Sequence, residues 1–202
     1  MGTLQTASVS FALSQVFLSL LLLNSKKWSI QRQLYAALLV AVTAYLVLPL
    51  VNDPTLGSWL SSISTAGPGL FWLTCASFFN DHFRLRRWQI GLVAITVILP
   101  VAGTFFEYIE VTSPHWLTYV LPQGLEFVLL GLALYAVAQH WPSDLIERRR
   151  RLRLWFCSLN GVYIFVLLLF REILFADADW MQGFQYIPVG FTLLATNAIL
   201  LG

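Results

Sequence analysis

The sequence is poor in charge, in cysteine and in lysine. Charged residues make up 11% of the 202 residues, whereas a soluble domain usually carries about 25%. This shortage excludes a sizeable soluble domain, and the net charge of +2 does not indicate nucleic-acid binding. The two cysteines, Cys75 and Cys157, lie in apolar runs, which favours buried free thiols over a disulfide scaffold. The only lysines, Lys26 and Lys27, lie between runs, so no helix offers a lysine for a retinal Schiff base.

The sequence also lacks the common catalytic motifs. It contains no His-Glu-x-x-His, no Gly-x-Ser-x-Gly and no glycine-rich phosphate loop, and we therefore do not expect an enzyme. His82, His115 and His140 lie on different loops without the spacing of metal ligands. Neither a metal site nor a cofactor is expected.

Apolar residues are abundant, at 58% of the chain. They are grouped in seven runs, at 7–23, 34–51, 59–79, 88–106, 116–138, 154–175 and 184–201. A helix needs about 17–25 residues to cross hydrocarbon, and each run has that length. Seven of the eight tryptophans fall at run ends, where indole prefers the headgroup layer, and only Trp72 lies inside a run. We predict one all-α integral membrane domain of about seven transmembrane helices.

Basic residues are confined to alternate connections between these runs. The clusters are Lys26, Lys27 and Arg32; Arg84, Arg86 and Arg87; and Arg148, Arg149, Arg150, Arg151 and Arg153. Because Lys and Arg are retained on the cytoplasmic side, the N-terminus is predicted outside and the C-terminus in the cytoplasm. Eleven of the twelve basic residues then lie inside, and only Arg171 lies outside. The arginines would anchor this topology and could also attract anionic lipid.

The third run is the least regular of the seven. Serine and threonine fill its first half, and Gly67-Pro68-Gly69 interrupts it. Without a crossing here, the basic residues on either side could not all be cytoplasmic. The run is therefore predicted to cross the membrane as a kinked helix, with neighbouring helices satisfying the freed backbone groups.

Glu126 is the one carboxylate deep inside a predicted span. An ionisable residue at that depth usually faces the bundle interior or a water-filled cavity. Gln123 lies one turn earlier on the same helix face, and Asn160 and Asn197 lie in the sixth and seventh runs. Two interpretations are open: a pocket that binds a ligand or senses protons, and hydrogen bonds that only hold the helices together.

Two segments resemble a known family. They are residues 67–86, which contain GPGLFW and FFNDHFRLR, and residues 141–153, WPSDLIERRRRLR. Both resemble the membrane-spanning N-terminal sensor region of bacterial AraC-type transcriptional regulators, in which a helix-turn-helix DNA-binding domain follows. The resemblance implies a signal-transducing module in the bacterial inner membrane, responding to an unknown small-molecule or membrane signal. No DNA-binding domain follows Leu201, so this chain alone is not expected to bind nucleic acid.

Other functions and assemblies stay open at this point. A small transporter or channel-like protein could use a polar path around Glu126, because Gly67-Pro68-Gly69 and Leu121-Pro122-Gln123-Gly124 are broken-helix signals typical of substrate sites. A membrane remnant without independent activity is a third interpretation. The last run ends without a polar tail, and we expect the chain to be the membrane portion of something longer. Its expected surroundings are the lipid bilayer, and a homodimer is compatible with the pattern.

Overall fold

The computed structural model describes residues 3–24, 29–79, 83–108, 120–139, 147–170 and 185–201. Within these residues the chain is helical and contains no strand, which confirms the all-α class. The helices are α1 (Thr3–Asn24), α2 (Ile30–Val47), α3 (Pro54–Ser64), α4 (Gly67–Phe79), α5 (Arg87–Tyr108), α6 (Leu121–Gln139), α7 (Glu147–Leu168) and α8 (Ile187–Leu201). Lys26, Lys27, Arg171 and the three histidines lie outside the described residues.

The helices have the length and surface of a membrane protein. Four segments are long and apolar enough to cross a membrane, namely Thr3–Leu23, Ile30–Leu50, Arg87–Phe106 and Leu121–Gln139. Leu154–Leu168 and Ile187–Ala198 are shorter apolar helices within the sixth and seventh predicted runs. Large apolar side chains such as Phe17, Ile98 and Val162 point outward and are about 60% exposed, as lipid-facing positions require.

The third predicted run consists of two helices. The carboxylate of Asp53 caps α3 by accepting the N–H groups of Thr55 (2.8 Å) and Leu56 (3.2 Å), with Pro54 at the first helical position. This cap explains why α3 begins five residues before the predicted run. The interruption predicted at Gly67-Pro68-Gly69 falls slightly earlier, at Thr65 and Ala66, which form a turn. Pro68 lies in the first turn of α4, where its missing N–H costs little.

The turn between α3 and α4 supplies a hydrogen-bond donor that α5 lacks. Pro100 lies inside α5, and a proline has no N–H to donate to the carbonyl four residues earlier, which belongs to Thr96. The hydroxyl of Thr65 can donate to this carbonyl or to the Ser62 carbonyl of its own helix, each at 2.7 Å. A backbone oxygen that lipid could not satisfy thereby gains a partner from the neighbouring helix.

Two further contacts show that α3 and α4 continue in the same direction and pack one after the other along α5. Ser58 hydrogen bonds to Thr104 (2.9 Å), and the rings of Trp72 and Trp88 are 5.7 Å apart. The Thr65–Thr96 bond lies between them. Positions that advance along α3 and α4 therefore recede along α5, so the turn at residues 65–66 does not reverse the chain.

The first and last helices pack in parallel. The rings of Phe11 and Phe191 are 5.6 Å apart, and Ser19 donates to the Asn197 side chain at 2.6 Å. Gly190 allows the close approach, because a Cβ there would overlap the ring of Phe11. In contrast, α8 runs antiparallel to α7, since Tyr163 contacts Gln185 and Asn160 contacts Thr196.

Candidate functional site

A partly open cavity of about 170 Å³ lies where α2, the α3–α4 turn, α6, α7 and α8 meet. An apolar cavity of about 150 Å³ in another protein accepts benzene, so this volume suits a small organic molecule. The polar lining residues are Tyr45, Ser61, Ser64, Thr65, Glu126 and Tyr163, and the apolar ones include Leu38, Val42, Ile164, Leu167 and Val189. The cavity is therefore an apolar space with several polar groups on its wall, as in ordinary ligand sites.

Among the described residues that line the cavity, Glu126 is the only carboxylate. It lies in the second turn of α6 and is half-buried. Gly67 and Pro68, the first residues of α4, line the same cavity. The break between α3 and α4 and the carboxylate of Glu126 thus meet at one place.

Two tyrosines join the cavity to the start of α8. The Tyr45 hydroxyl donates to the Gln185 side-chain oxygen (3.1 Å), and the Tyr163 hydroxyl donates to the Gln185 backbone carbonyl (3.4 Å). The rings of Tyr45 and Tyr186 are 5.2 Å apart. Sequence reasoning missed these residues, although a tyrosine in the middle of an apolar run, such as Tyr163, is a usable signal.

The four predicted site residues do not lie together. Glu126 lines the cavity, and Gln123 is half-buried one turn away on α6 but not on the cavity wall. Asn197 is 1% exposed and bonds α8 to α1, because its amide donates to the Gln15 backbone carbonyl at 2.9 Å. Asn160 donates to the Thr196 hydroxyl at 3.2 Å and bonds α7 to α8.

These asparagine contacts form what we call the α8 clamp: Gln15, Ser19, Asn160, Thr196 and Asn197. Buried amides in an apolar bundle are costly unless they find partners, and here each amide finds one on another helix. The clamp holds the C-terminal half of α8, whereas Gln185 and Val189 contact the cavity region at its N-terminal end. α8 therefore connects the cavity to the α8 clamp.

The basic residues differ partly from the predicted loops. Arg84, Arg86 and Arg87 are exposed, as the predicted anchor role requires. The cluster from Arg148 to Arg153, however, belongs to the first two turns of α7 rather than to a loop, because arginine and glutamate are good helix formers. Its side chains lie outside the described set.

Among the described residues, no group of three or more His, Cys, Asp or Glu side chains could hold a metal ion. No protein-family model matches the chain, and no curated protein and no solved structure matches it. The resemblance to AraC-type regulators therefore stays a prediction.

Proposed function

We propose that the protein is a membrane-embedded sensor in which the cavity receives a small molecule and α8 transmits its presence. The observation that carries this proposal is the pair of hydrogen bonds from Tyr45 and Tyr163 to Gln185. These bonds attach the cavity wall to Gln185, two residues before the start of α8. A ligand that binds better when they are rearranged would shift the position of α8 by its differential affinity for the two states.

The proposed topology has seven crossings, with α3 and α4 forming one of them. Helix directions support this arrangement. The parallel packing of α1 and α8 requires both to cross in the same direction, and the antiparallel pairs α3–α4 with α5 and α7 with α8 fit a strict alternation. With the basic residues inside, the clamped half of α8 would face the bacterial cytoplasm.

We further propose that the output is transcriptional, as the resemblance to AraC-type regulators implies, with DNA contacted by a domain that is not among these residues. The direction of α8 supports this, because the helix would carry its end to the side where DNA lies. A cytoplasmic helix-turn-helix domain joined after α8 would receive any rotation or shift of that helix.

The experiment fills the cavity without needing the natural ligand. Val42 lines the cavity, and Val42→Phe adds a ring to that space. The chain is fused at its C-terminus to an AraC-type DNA-binding domain that drives a reporter gene. We expect Val42→Phe to change reporter output at least several-fold, because it occupies the ligand volume permanently.

Val40→Phe is the matched control, since Val40 is on the same helix but 58% exposed and faces lipid in the proposed arrangement. It should leave the output unchanged. Equal output from the unsubstituted protein and Val42→Phe, at equal membrane abundance and equal thermal stability, would contradict sensing through the cavity.

A transporter is the second candidate, and the meeting of Glu126 with the α3–α4 break favours it. Proteoliposomes containing a pH-sensitive dye distinguish the two functions. Proton flux that Glu126→Gln abolishes supports transport, whereas tight liposomes together with a Val42→Phe effect on the reporter support sensing.

A further inference from the structure

The two cysteines of the chain meet in the core, although 81 residues separate them in the sequence. Cys75 belongs to α4 and Cys157 to α7, and both are free and at most 1% exposed. Their side chains interact directly. A protein with only two thiols has here placed both at one point of contact between two helices.

Neighbouring contacts fix this register independently. On one side, the ring of Phe71 comes within 3.6 Å of the place where a Cβ on Gly161 would stand. On the other side, the rings of Phe78 and Phe156 are 5.2 Å apart. Cys75 lies one turn after Phe71, and Cys157 lies one turn before Gly161, so the antiparallel helices bring the two sulfurs to the same level.

We propose that Cys75 and Cys157 are a redox-active dithiol that a lipid-soluble quinone oxidises to a disulfide between α4 and α7. Two S–H bonds break and one S–S bond forms, while two electrons and two protons reduce the quinone to a hydroquinone. A quinone suits this site because both sulfurs are enclosed among apolar side chains, where a charged oxidant would be poorly solvated. Trp155 and Ser158 on α7 are exposed, whereas both thiols are at most 1% exposed, so the quinone reaches the sulfurs when the contact between α4 and α7 opens transiently.

The disulfide would join two walls of the cavity. α4 contributes Gly67 and Pro68 to that wall, and α7 contributes Tyr163 and Leu167. A disulfide about two helical turns from these lining residues would hold the α4 wall and the α7 wall at a fixed separation. The redox state of the membrane would then set the shape of the cavity, but the thiol chemistry does not depend on what the cavity binds.

The test uses the full chain in lipid nanodiscs without oxygen. Tetramethylbenzoquinone is added, because its fully substituted ring cannot alkylate thiols, and the protein is then denatured and labelled with a maleimide. We expect both labels to be lost and dithiothreitol to restore them. Trypsin cuts after Arg84 and Arg153 and so places the two cysteines on separate peptides. A linked pair whose mass is two hydrogen atoms below the sum of the two peptides identifies the disulfide.

Cys75→Ala and Cys157→Ala are the matched controls, and each should keep its remaining thiol fully labelled. The proposal is overturned if the folded unsubstituted protein keeps both thiols, or if the single variants lose label to the same extent. If the alanine variants do not fold, the unsubstituted protein alone decides: the linked peptide supports the proposal, and its absence overturns the proposal.

Discussion

At the scale of single residues, the bundle depends on polar groups that compensate one another across helices. Pro100 leaves the Thr96 carbonyl without its usual donor, and Thr65 supplies one from the neighbouring helix. Neither residue looks exceptional alone in the sequence. Their dependence appears only when α3, α4 and α5 are packed together.

Thr65→Val tests this compensation, because valine keeps the shape and removes the hydroxyl. The substitution should lower the free energy of unfolding by about 1–2 kcal/mol, the range for a buried acceptor left unsatisfied in a membrane bundle. In the Pro100→Ala background, the new N–H of residue 100 can bond the Thr96 carbonyl. The same substitution should then cost less than about 0.5 kcal/mol.

Unfolding in mixed detergent micelles measures all four proteins of this cycle. Thr43→Val is the control, since the Thr43 hydroxyl donates only to the Leu39 carbonyl of its own helix. Additive effects of Thr65→Val and Pro100→Ala would show that the two sites are independent.

At the scale of helices, close packing is concentrated where α1 meets α8. Gly190→Ala would drive a methyl group into the Phe11 ring and to 3.5 Å from the Ala12 backbone nitrogen. The backbone nitrogen at 3.5 Å is an ordinary van der Waals contact, but the overlap with the ring forces Phe11 to give up its packing or the helices to separate. We therefore expect a loss of about 1–3 kcal/mol in unfolding free energy.

Gly131→Ala on α6 is the comparison, because the methyl group that it adds would meet nothing within 4 Å. It should be neutral or stabilising by up to about 1 kcal/mol, because alanine is the better helix former. Thermal unfolding in detergent orders the three proteins. A Gly190→Ala protein as stable as the parent would refute the close α1–α8 contact.

Helix positions were largely predictable from the sequence, because a lipid-crossing helix requires an apolar run of fixed length. The fine placement was not. The start of α3 depends on the Asp53 cap, and the start of α7 just before the arginine cluster depends on helix propensity. The cavity was predicted only through Glu126, since Tyr45, Tyr163 and Gln185 come together by long-range packing that no local pattern encodes.

At the scale of the whole molecule, the sorting of basic residues predicts the orientation of every helix. Ser29 and Asn52 are exposed at opposite ends of the α2 segment and can each be replaced by cysteine in a protein carrying Cys75→Ala and Cys157→Ala. A membrane-impermeant maleimide should label Asn52→Cys from outside and Ser29→Cys only in inverted vesicles. Labelling of both positions from one side would contradict the proposed crossing of α2.

The parallel contact between α1 and α8 has a consequence for biosynthesis. The first helix leaves the ribosome long before the last, and until then Gln15 and Ser19 lack Asn197. The nascent chain must keep these groups in water, in the translocation machinery or against a temporary neighbour. Completion of the bundle therefore waits for its final segment, and nascent chains truncated before α8 should be retained by the insertion apparatus or degraded.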